Sequence, residues 1–146
     1  MKYERDDVET LMRFPVRLIV AGTRDWNNWK KFETNLNAQI NIFKGMLGIP
    51  PSCIDDLYQD VLLISGAART GADRIVIDYA KACDLDYVEF PADWGSGAGH
   101  YAGFLRNTEM SKVGNCLIAY WNCKSGGTLD MISKMSKQDR TVIIPI

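Results

Sequence analysis

Histidine and paired cysteines are scarce in this sequence, which has one histidine, His100, and four cysteines among 146 residues. The cysteines form no Cys-x-x-Cys pair, so the spacing typical of a zinc site is missing and we predict no metal centre. No apolar run approaches the ~20 residues that a membrane-spanning helix needs. Residues 1–13 carry mixed charges without the apolar core of a secretory signal. We therefore expect a cytoplasmic protein with reduced cysteines, no membrane contact and no cofactor.

An excess of charge of either sign is also missing. The chain has 17 basic and 18 acidic residues, a formal net charge of −1, and its basic residues are spread along the sequence. Binding to duplex nucleic acid depends on clustered cations that neutralise phosphates, so we expect no duplex nucleic acid as a partner. Hydrophobic residues make up 47% of the chain, enough for one core at this length.

Short apolar runs alternate with amphipathic segments from residue 16 to the end. The runs predict strands at residues 16–21, 61–65, 87–90, 116–121 and 141–144. The segments between them predict helices at 26–47 with Asp25 as the N-cap, 72–83, 98–113 and 126–137. This alternation predicts a single-domain, Rossmann-like, doubly wound α/β fold, with about five mainly parallel strands and helices on both faces. The domain would span 16–146, leaving 1–15 as an N-terminal extension.

Residues 64–74 (ISGAARTGADR) are the most informative segment for function. A strand ends at Ser65-Gly66, a helix begins near Ala72, and Arg69 lies in the turn between them. Helix-start amides attract anions, and a guanidinium adds donors that suit phosphate or carboxylate. The segment therefore predicts a site for an anionic small molecule, most plausibly a nucleotide.

The carboxyl ends of the parallel strands should meet at one edge of the sheet, which is where such folds bind ligands. The segments that leave the first four strands are rich in glycine, hydroxyl, acidic and arginine side chains. Each also has a structural explanation, because glycine suits a tight turn, serine caps a helix, and Trp94 could be core, a subunit contact or a platform for a base. The candidate ligand-binding residues from these segments are Gly22, Thr23, Arg24, Ser65, Gly66, Ala67, Arg69, Gly71, Asp73, Asp93, Trp94, Ser125, Gly126, Gly127 and Thr128.

With these segments in order, the chain resembles the SLOG superfamily of Rossmann-like domains, and within it the small bacterial and phage group related to YspA and YpsA. That superfamily includes the cytokinin-activating phosphoribohydrolases and the DprA-like proteins. The matching motifs are residues 20–26 (VAGTRDW), 65–74 (SGAARTGADR), 90–94 (FPADW), 106–110 (RNTEM) and 121–128 (WNCKSGGT).

The resemblance implies a nucleotide-like ligand held by the glycine-rich turns, and it adds Arg106 and Asn107 to the candidate binding residues. In the hydrolases, an arginine on the third helix and a glutamate within P-G-G-x-G-T-x-x-E serve cleavage of the N-glycosidic bond. Arg106 fits the arginine, but Met131 stands where the glutamate would be. A thioether cannot handle a proton or stabilise an oxocarbenium ion, so the departure weakens the hydrolase interpretation.

Three functions follow as hypotheses. The first is a domain that binds a nucleotide-derived ligand, to sense or sequester a nucleotide signal, since members of the superfamily occur in phage and anti-phage contexts. The second is an N-glycosidic or phosphoribosyl hydrolase, with Arg106 and Glu109 as candidate catalytic residues and Asp93 or Asp25 as other carboxylates. The third is single-stranded nucleic acid binding. Self-association is also expected, because relatives self-associate and the first helix is rich in aromatic residues.

Overall fold

The computed structural model describes residues 1–145 of the chain, apart from the side chain of His100. Strands and helices alternate along them. The strands are β1 Lys2–Tyr3, β2 Val16–Gly22, β3 Val61–Ser65, β4 Tyr87–Glu89, β5 Cys116–Tyr120 and β6 Thr141–Ile143. The helices are α1 Val8–Leu11, α2 Trp29–Met46, α3 Ala72–Ala82, α4 Ala102–Val113 and α5 Gly126–Lys137, with 3-10 turns at Ile54–Asp56 and Gly99–Tyr101.

The strands form one sheet in the order β1-β4-β3-β2-β5-β6, and every neighbouring pair is parallel. This confirms the predicted doubly wound α/β fold. Within residues 1–145 the sheet has six strands rather than about five, because Lys2–Tyr3 pairs with Tyr87–Val88. The chain runs outward from β2 through β3 to β4, and then returns to place β5 on the other side of β2. This reversal of direction is where folds of this type open a crevice.

The residues of β2 alternate between two hydrophobic cores, as the period of two along a strand requires. Leu18 and Val20 pack in a core with α2 and α3 residues, whereas Ile19 and Ala21 pack in a core with residues of α1, α4 and α5. Helices therefore cover both faces of the sheet, as predicted.

The start of α2 differs from the prediction. Asn28, not Asp25, is the N-cap, and its Oδ1 accepts a hydrogen bond from the Lys31 N–H at 3.0 Å. Trp26 precedes the helix and stacks on Tyr120 of β5, with ring centroids 3.8 Å apart. Residues 23–27 therefore lie outside the helix and among the loops at the sheet edge.

Among the described residues, no helix is both long and apolar enough to cross a membrane. The same residues bring no group of three or more metal-binding side chains together.

Candidate functional site

The loops that leave β2, β3 and β4 enclose a cavity of about 660 Å³, called here the large cavity. It is lined by Arg24, Gly66, Ala67, Ala68, Arg69, Thr70, Pro91, Ala92, Trp94 and Arg106. A second cavity of about 80 Å³, the small cavity, lies on the side of β5 and α5. It is lined by Ala21, Gly22, Arg24, Ala68, Asp73, Arg106, Asn107, Met110, Ser125, Gly127, Thr128 and Met131. Arg24, Ala68 and Arg106 border both, so the two cavities are neighbours.

Arg106, from α4, lies directly over the glycine turn that follows β3. One of its terminal nitrogens, Nη1, donates a hydrogen bond to the Gly66 carbonyl, and Nε donates to Asn107 Oδ1 at 2.9 Å. A Cβ at residue 66 would lie 2.5 Å from Nη1 of Arg106 and 2.9 Å from Oδ2 of Asp73. A side chain at residue 66 would therefore displace the Arg106 guanidinium from its position over the turn.

Asp73 is a carboxylate held at the floor of the site, and it is only 9% exposed. Its Oδ2 accepts a hydrogen bond from the Ala68 N–H at 3.2 Å. Burial raises the pKa of Asp73 above its ordinary value of 3.8, while Arg106, the Ala68 N–H and Arg24 oppose that rise. Burial likewise lowers the pKa of Arg106 below its ordinary value, and Asp73 opposes the decrease. Arg106 remains charged, since the arginine pKa starts so high.

The turn between β3 and α3 is stabilised by hydrogen bonds among its own residues. Ser65 Oγ donates to the Asp73 carbonyl at 2.7 Å and accepts from the Ala67 N–H at 3.1 Å. The amides of Ala67 and Ala68 are therefore engaged by protein groups. The positive charge that this turn offers to a ligand is that of Arg69, which lines the large cavity and is exposed. Arg69 makes no hydrogen bond or ion pair within the described chain.

Asn107 joins the two glycine-containing turns of the site. Its Nδ2 donates to the Gly127 carbonyl and to Asp130 Oδ2, both at 3.1 Å, while its Oδ1 accepts from Arg106. Asp130 also accepts a hydrogen bond from Lys134 Nζ at 2.5 Å. Asn107 therefore orients the Arg106 guanidinium and fixes the start of α5 at the same time.

The start of α5 is capped by its own side chains. Ser125 Oγ accepts from the Thr128 N–H at 3.4 Å and from Thr128 Oγ1 at 3.2 Å. Gly126 and Gly127 are exposed, and a Cβ at either position would meet nothing within 4 Å. Their backbone is therefore open to solvent beside the small cavity, where helix amides favour an anion.

An aromatic and a cationic side chain lie next to each other in the lining of the large cavity. Trp94 is 53% exposed, and the Cζ of Arg24 lies 5.9 Å from its ring centroid. This is a cation–π arrangement in which both partners remain accessible.

The structure brings most of the predicted binding residues to these two cavities, and it separates six candidates from them. Four of these six residues have structural positions in the turns beside the cavities. Ser65 and Gly71 belong to the β3–α3 turn, and Gly126 is the first residue of α5. Thr23 Oγ1 accepts a hydrogen bond from the Asn122 N–H at 3.2 Å. Asp93 and Glu109 border a separate cavity of about 210 Å³, the outer cavity, which is lined by Arg5, Pro91, Asp93, Ser96, Ala102, Leu105, Arg106 and Glu109.

Sequence reasoning missed several lining residues. Ala68 and Thr70 lie inside the predicted turn, and Pro91 and Ala92 directly precede Asp93, so their position in the chain was the available signal. Met131, which is 1% exposed, lines the small cavity in the place where the resemblance would have a glutamate. Arg5 lies at the outer cavity, although nothing in its local sequence indicates a site.

Residues 53–97 match the model of the YspA, cpYpsA-related SLOG family. The matched segment includes β3, the turn with Arg69, α3, β4 and Trp94. This match confirms the resemblance drawn from the motifs. No functionally curated protein matches the chain in sequence.

The chain also resembles solved structures of DNA processing protein A. The protein from Streptococcus pneumoniae aligns with a TM-score of 0.60 and 12% identity, over 92% of this chain and 51% of that one. The chain thus spans about half the length of that structure, and the likeness concerns the fold. A Helicobacter pylori structure, described with a single-stranded DNA binding mode, aligns over 94% of this chain and 68% of its own, at 14% identity and a TM-score of 0.49.

Proposed function

We propose that this domain binds a nucleotide or nucleotide-derived ligand in the large cavity. The observation that carries the proposal is the convergence of three guanidinium groups, from Arg24, Arg69 and Arg106, on one cavity. Asp73, beneath Arg106, supplies one opposing charge. A cavity with this excess of positive charge favours an anion, and guanidinium groups match the geometry of phosphate oxygens.

The base would lie against Trp94. Its exposed indole offers a stacking surface on which a base contributes on the order of 1–3 kcal/mol. Arg24 lies next to the same ring, so a base stacked on Trp94 would also lie near its guanidinium group. Phosphate groups would then reach Arg69 and Arg106, and the open amides of Gly126 and Gly127 could receive a second anionic group. The biological role would be to sense or sequester a nucleotide signal, including in a phage or anti-phage setting.

We favour binding over hydrolysis because the carboxylates of Asp73, Asp130 and Glu109 are either engaged by other protein groups or lie outside the large cavity. Asp73 is buried and already accepts from Ala68, and Asp130 is engaged by Asn107 and Lys134. Glu109 faces Arg5, outside the large cavity. Cleavage of an N-glycosidic bond generally needs a carboxylate near the anomeric carbon. The hydrolase is the second outcome of the ligand experiment below, and it would be recognised by its products.

Binding of single-stranded nucleic acid is the third outcome. The balanced charge of the chain favours a small ligand over a long phosphate backbone. Binding of oligonucleotides that is tighter than binding of mononucleotides and weakens steeply with salt would replace the present proposal.

Arg69→Ala is expected to weaken ligand binding at least ~10-fold without loss of stability. In a thermal-shift panel of nucleoside phosphates, dinucleotides, cyclic nucleotides and ADP-ribose derivatives, a ligand at 100 times its Kd should stabilise the wild type by ~2.7 kcal/mol. Loss of a charged contact should weaken the Kd at least ~10-fold, which corresponds to about 1.4 kcal/mol. The melting temperature without ligand should stay unchanged, because the Arg69 side chain has no partner in the described structure.

Arg74→Ala is the matched control, because Arg74 is an exposed arginine of α3, five residues after Arg69, and it pairs with Asp78 at 2.9 Å outside the cavity. Equal loss of affinity in both variants would point to a general charge effect and contradict the assigned site. A ligand recovered as free base and sugar phosphate would establish the hydrolase. Absence of any shift with the whole panel would refute the proposed ligand class.

We also propose that the chain self-associates through α2. Ile42 and Met46, one turn apart on this helix, are 51% and 66% exposed and together present an apolar surface to solvent. Sedimentation analysis should give an oligomer for the wild type and a monomer for Ile42→Glu/Met46→Glu. An identical mass for the two proteins would contradict this interface.

A further inference from the structure

The N-terminal segment, residues 1–14, is anchored beside the strand that leads into the Trp94 loop. Tyr3 pairs with Val88 of β4, and its ring packs edge-on against Phe14 with centroids 5.3 Å apart. Leu11 is fully buried in the core that also contains Val88 and Phe90. The segment is therefore an ordered part of this side of the sheet and can hold a side chain in a fixed place.

Arg5 projects from this segment to two elements of the ligand site. Its Nη1 donates a hydrogen bond to the Pro91 carbonyl at 3.1 Å and lies 3.7 Å from Glu109 Oε2. Pro91 lines both the large and the outer cavity, and Trp94 follows three residues later. Glu109 lies on α4, three residues after Arg106. Arg5 thus joins the start of the Trp94 loop to the helix that carries the Arg106 guanidinium.

We propose that Arg5 is a positioning residue that holds Trp94 in place for base stacking, an inference that rests on the proposed nucleotide site. Residues 90–98 have no regular secondary structure, so their position depends on individual contacts. A charge-assisted hydrogen bond to Pro91 fixes one end of this loop, and Glu109 orients the guanidinium that makes it. A loop fixed before binding loses less conformational entropy when the ligand arrives. Glu109 then serves the site through Arg5 and does not contact the ligand.

The first test needs no ligand. Acrylamide quenching of Trp94 is obtained as the difference between each protein and its own Trp94→Phe variant. In Arg5→Gln the quenching constant of Trp94 should rise, because the released loop exposes the indole more often. Arg13→Gln is the matched control, since Arg13 is an exposed arginine of the same segment that pairs only with Glu9 within the described residues. It should leave the quenching of Trp94 unchanged.

The second test compares a probe that has a base with one that has none. For Arg5→Gln, we expect the affinity for ADP to fall about tenfold and that for inorganic pyrophosphate to stay within about twofold of the wild type, since only ADP reaches Trp94. Glu109→Gln should give a smaller loss in the same direction, because Arg5 can still donate to Pro91.

The outcomes separate the two proposals. If wild-type protein binds neither these probes nor any member of the nucleotide panel, the nucleotide site is refuted, while the quenching comparison still tests the contact between Arg5 and the loop. An Arg5→Gln variant with wild-type quenching and wild-type ADP affinity overturns the positioning role. Equal losses for ADP and pyrophosphate overturn it too, since they would show an effect on the phosphate side.

Discussion

Gly71→Ala is expected to destabilise the fold by about 3 kcal/mol or more, since strained backbone and an overpacked contact each cost roughly 1–3 kcal/mol. Gly71 has φ = 76° and ψ = −158°, a conformation that residues with a side chain rarely adopt. A Cβ there would also lie 2.5 Å from the Thr23 carbonyl oxygen and 2.8 Å from the Arg24 Cα. Neither backbone atom can move without shifting the loop that carries Arg24. The melting temperature should fall by about 10 °C at this chain length.

Gly45→Ala is the matched control for this prediction. Gly45 lies in α2, and a Cβ there would meet nothing within 4 Å. Alanine at a compatible helical position stabilises by roughly 0.5–1 kcal/mol, so the two glycine substitutions should shift stability in opposite directions. Urea denaturation followed by circular dichroism measures both. A stability of Gly71→Ala equal to that of the wild type would contradict the close approach of the β2 and β3 loops.

The sheet could be predicted because its central strands are continuous apolar runs. Residues 61–65 and 116–120 are buried on both faces, as is typical of strands in a parallel sheet that helices cover on both sides. The edge strand β1 could not be predicted, because a strand of two residues is too short to show an alternation of apolar and polar side chains. Its position depends on pairing with β4, more than eighty residues later in the chain.

The sequence predicts which loops come together to form the candidate site. Because the carboxyl ends of parallel strands share an edge, the sequence predicts that Arg24, Arg69 and Trp94 lie together, and the three residues line the large cavity. This rule does not specify side-chain direction. Asp93 and Trp94 are neighbours in sequence, yet Asp93 faces the outer cavity and Trp94 the large one.

Local sequence does not predict a structural feature when a contact with a distant residue decides between two equally favourable alternatives. Asp25 and Asn28 are both good helix caps, and the stacking of Trp26 on Tyr120 favours the later one. The hydrogen bonds from Arg106 to Gly66 and from Arg5 to Pro91 join residues 40 and 86 positions apart. Composition and spacing contain no information about such contacts.

Arg106→Met is expected to abolish ligand binding and to reduce the free energy of unfolding by about 3 kcal/mol near neutral pH, because removing one partner leaves a buried charge without compensation. The reduction should depend on pH. Burial already raises the pKa of Asp73 in the folded protein, and Arg106 opposes that rise. Without Arg106 the folded-state pKa rises further. A raised carboxyl pKa means that the folded protein retains its proton more tightly than the unfolded chain does. The associated stability is present below about pH 3.8 and is lost as the pH rises above it.

The difference in stability between wild type and Arg106→Met should therefore widen from pH 4 to pH 8 in urea denaturation. The variant Asp73→Asn tests the cause, because an asparagine oxygen can still accept from the Ala68 N–H without a charge. The double variant Asp73→Asn/Arg106→Met should recover most of the free energy of unfolding that Arg106→Met loses. Its difference in stability from the wild type should no longer widen between pH 4 and pH 8. Ligand binding should remain lost, because the guanidinium over Gly66 is still missing. A penalty for Arg106→Met that is independent of pH, or that persists with Asp73→Asn, would show that Arg106 stabilises the fold through packing and not through the buried charge.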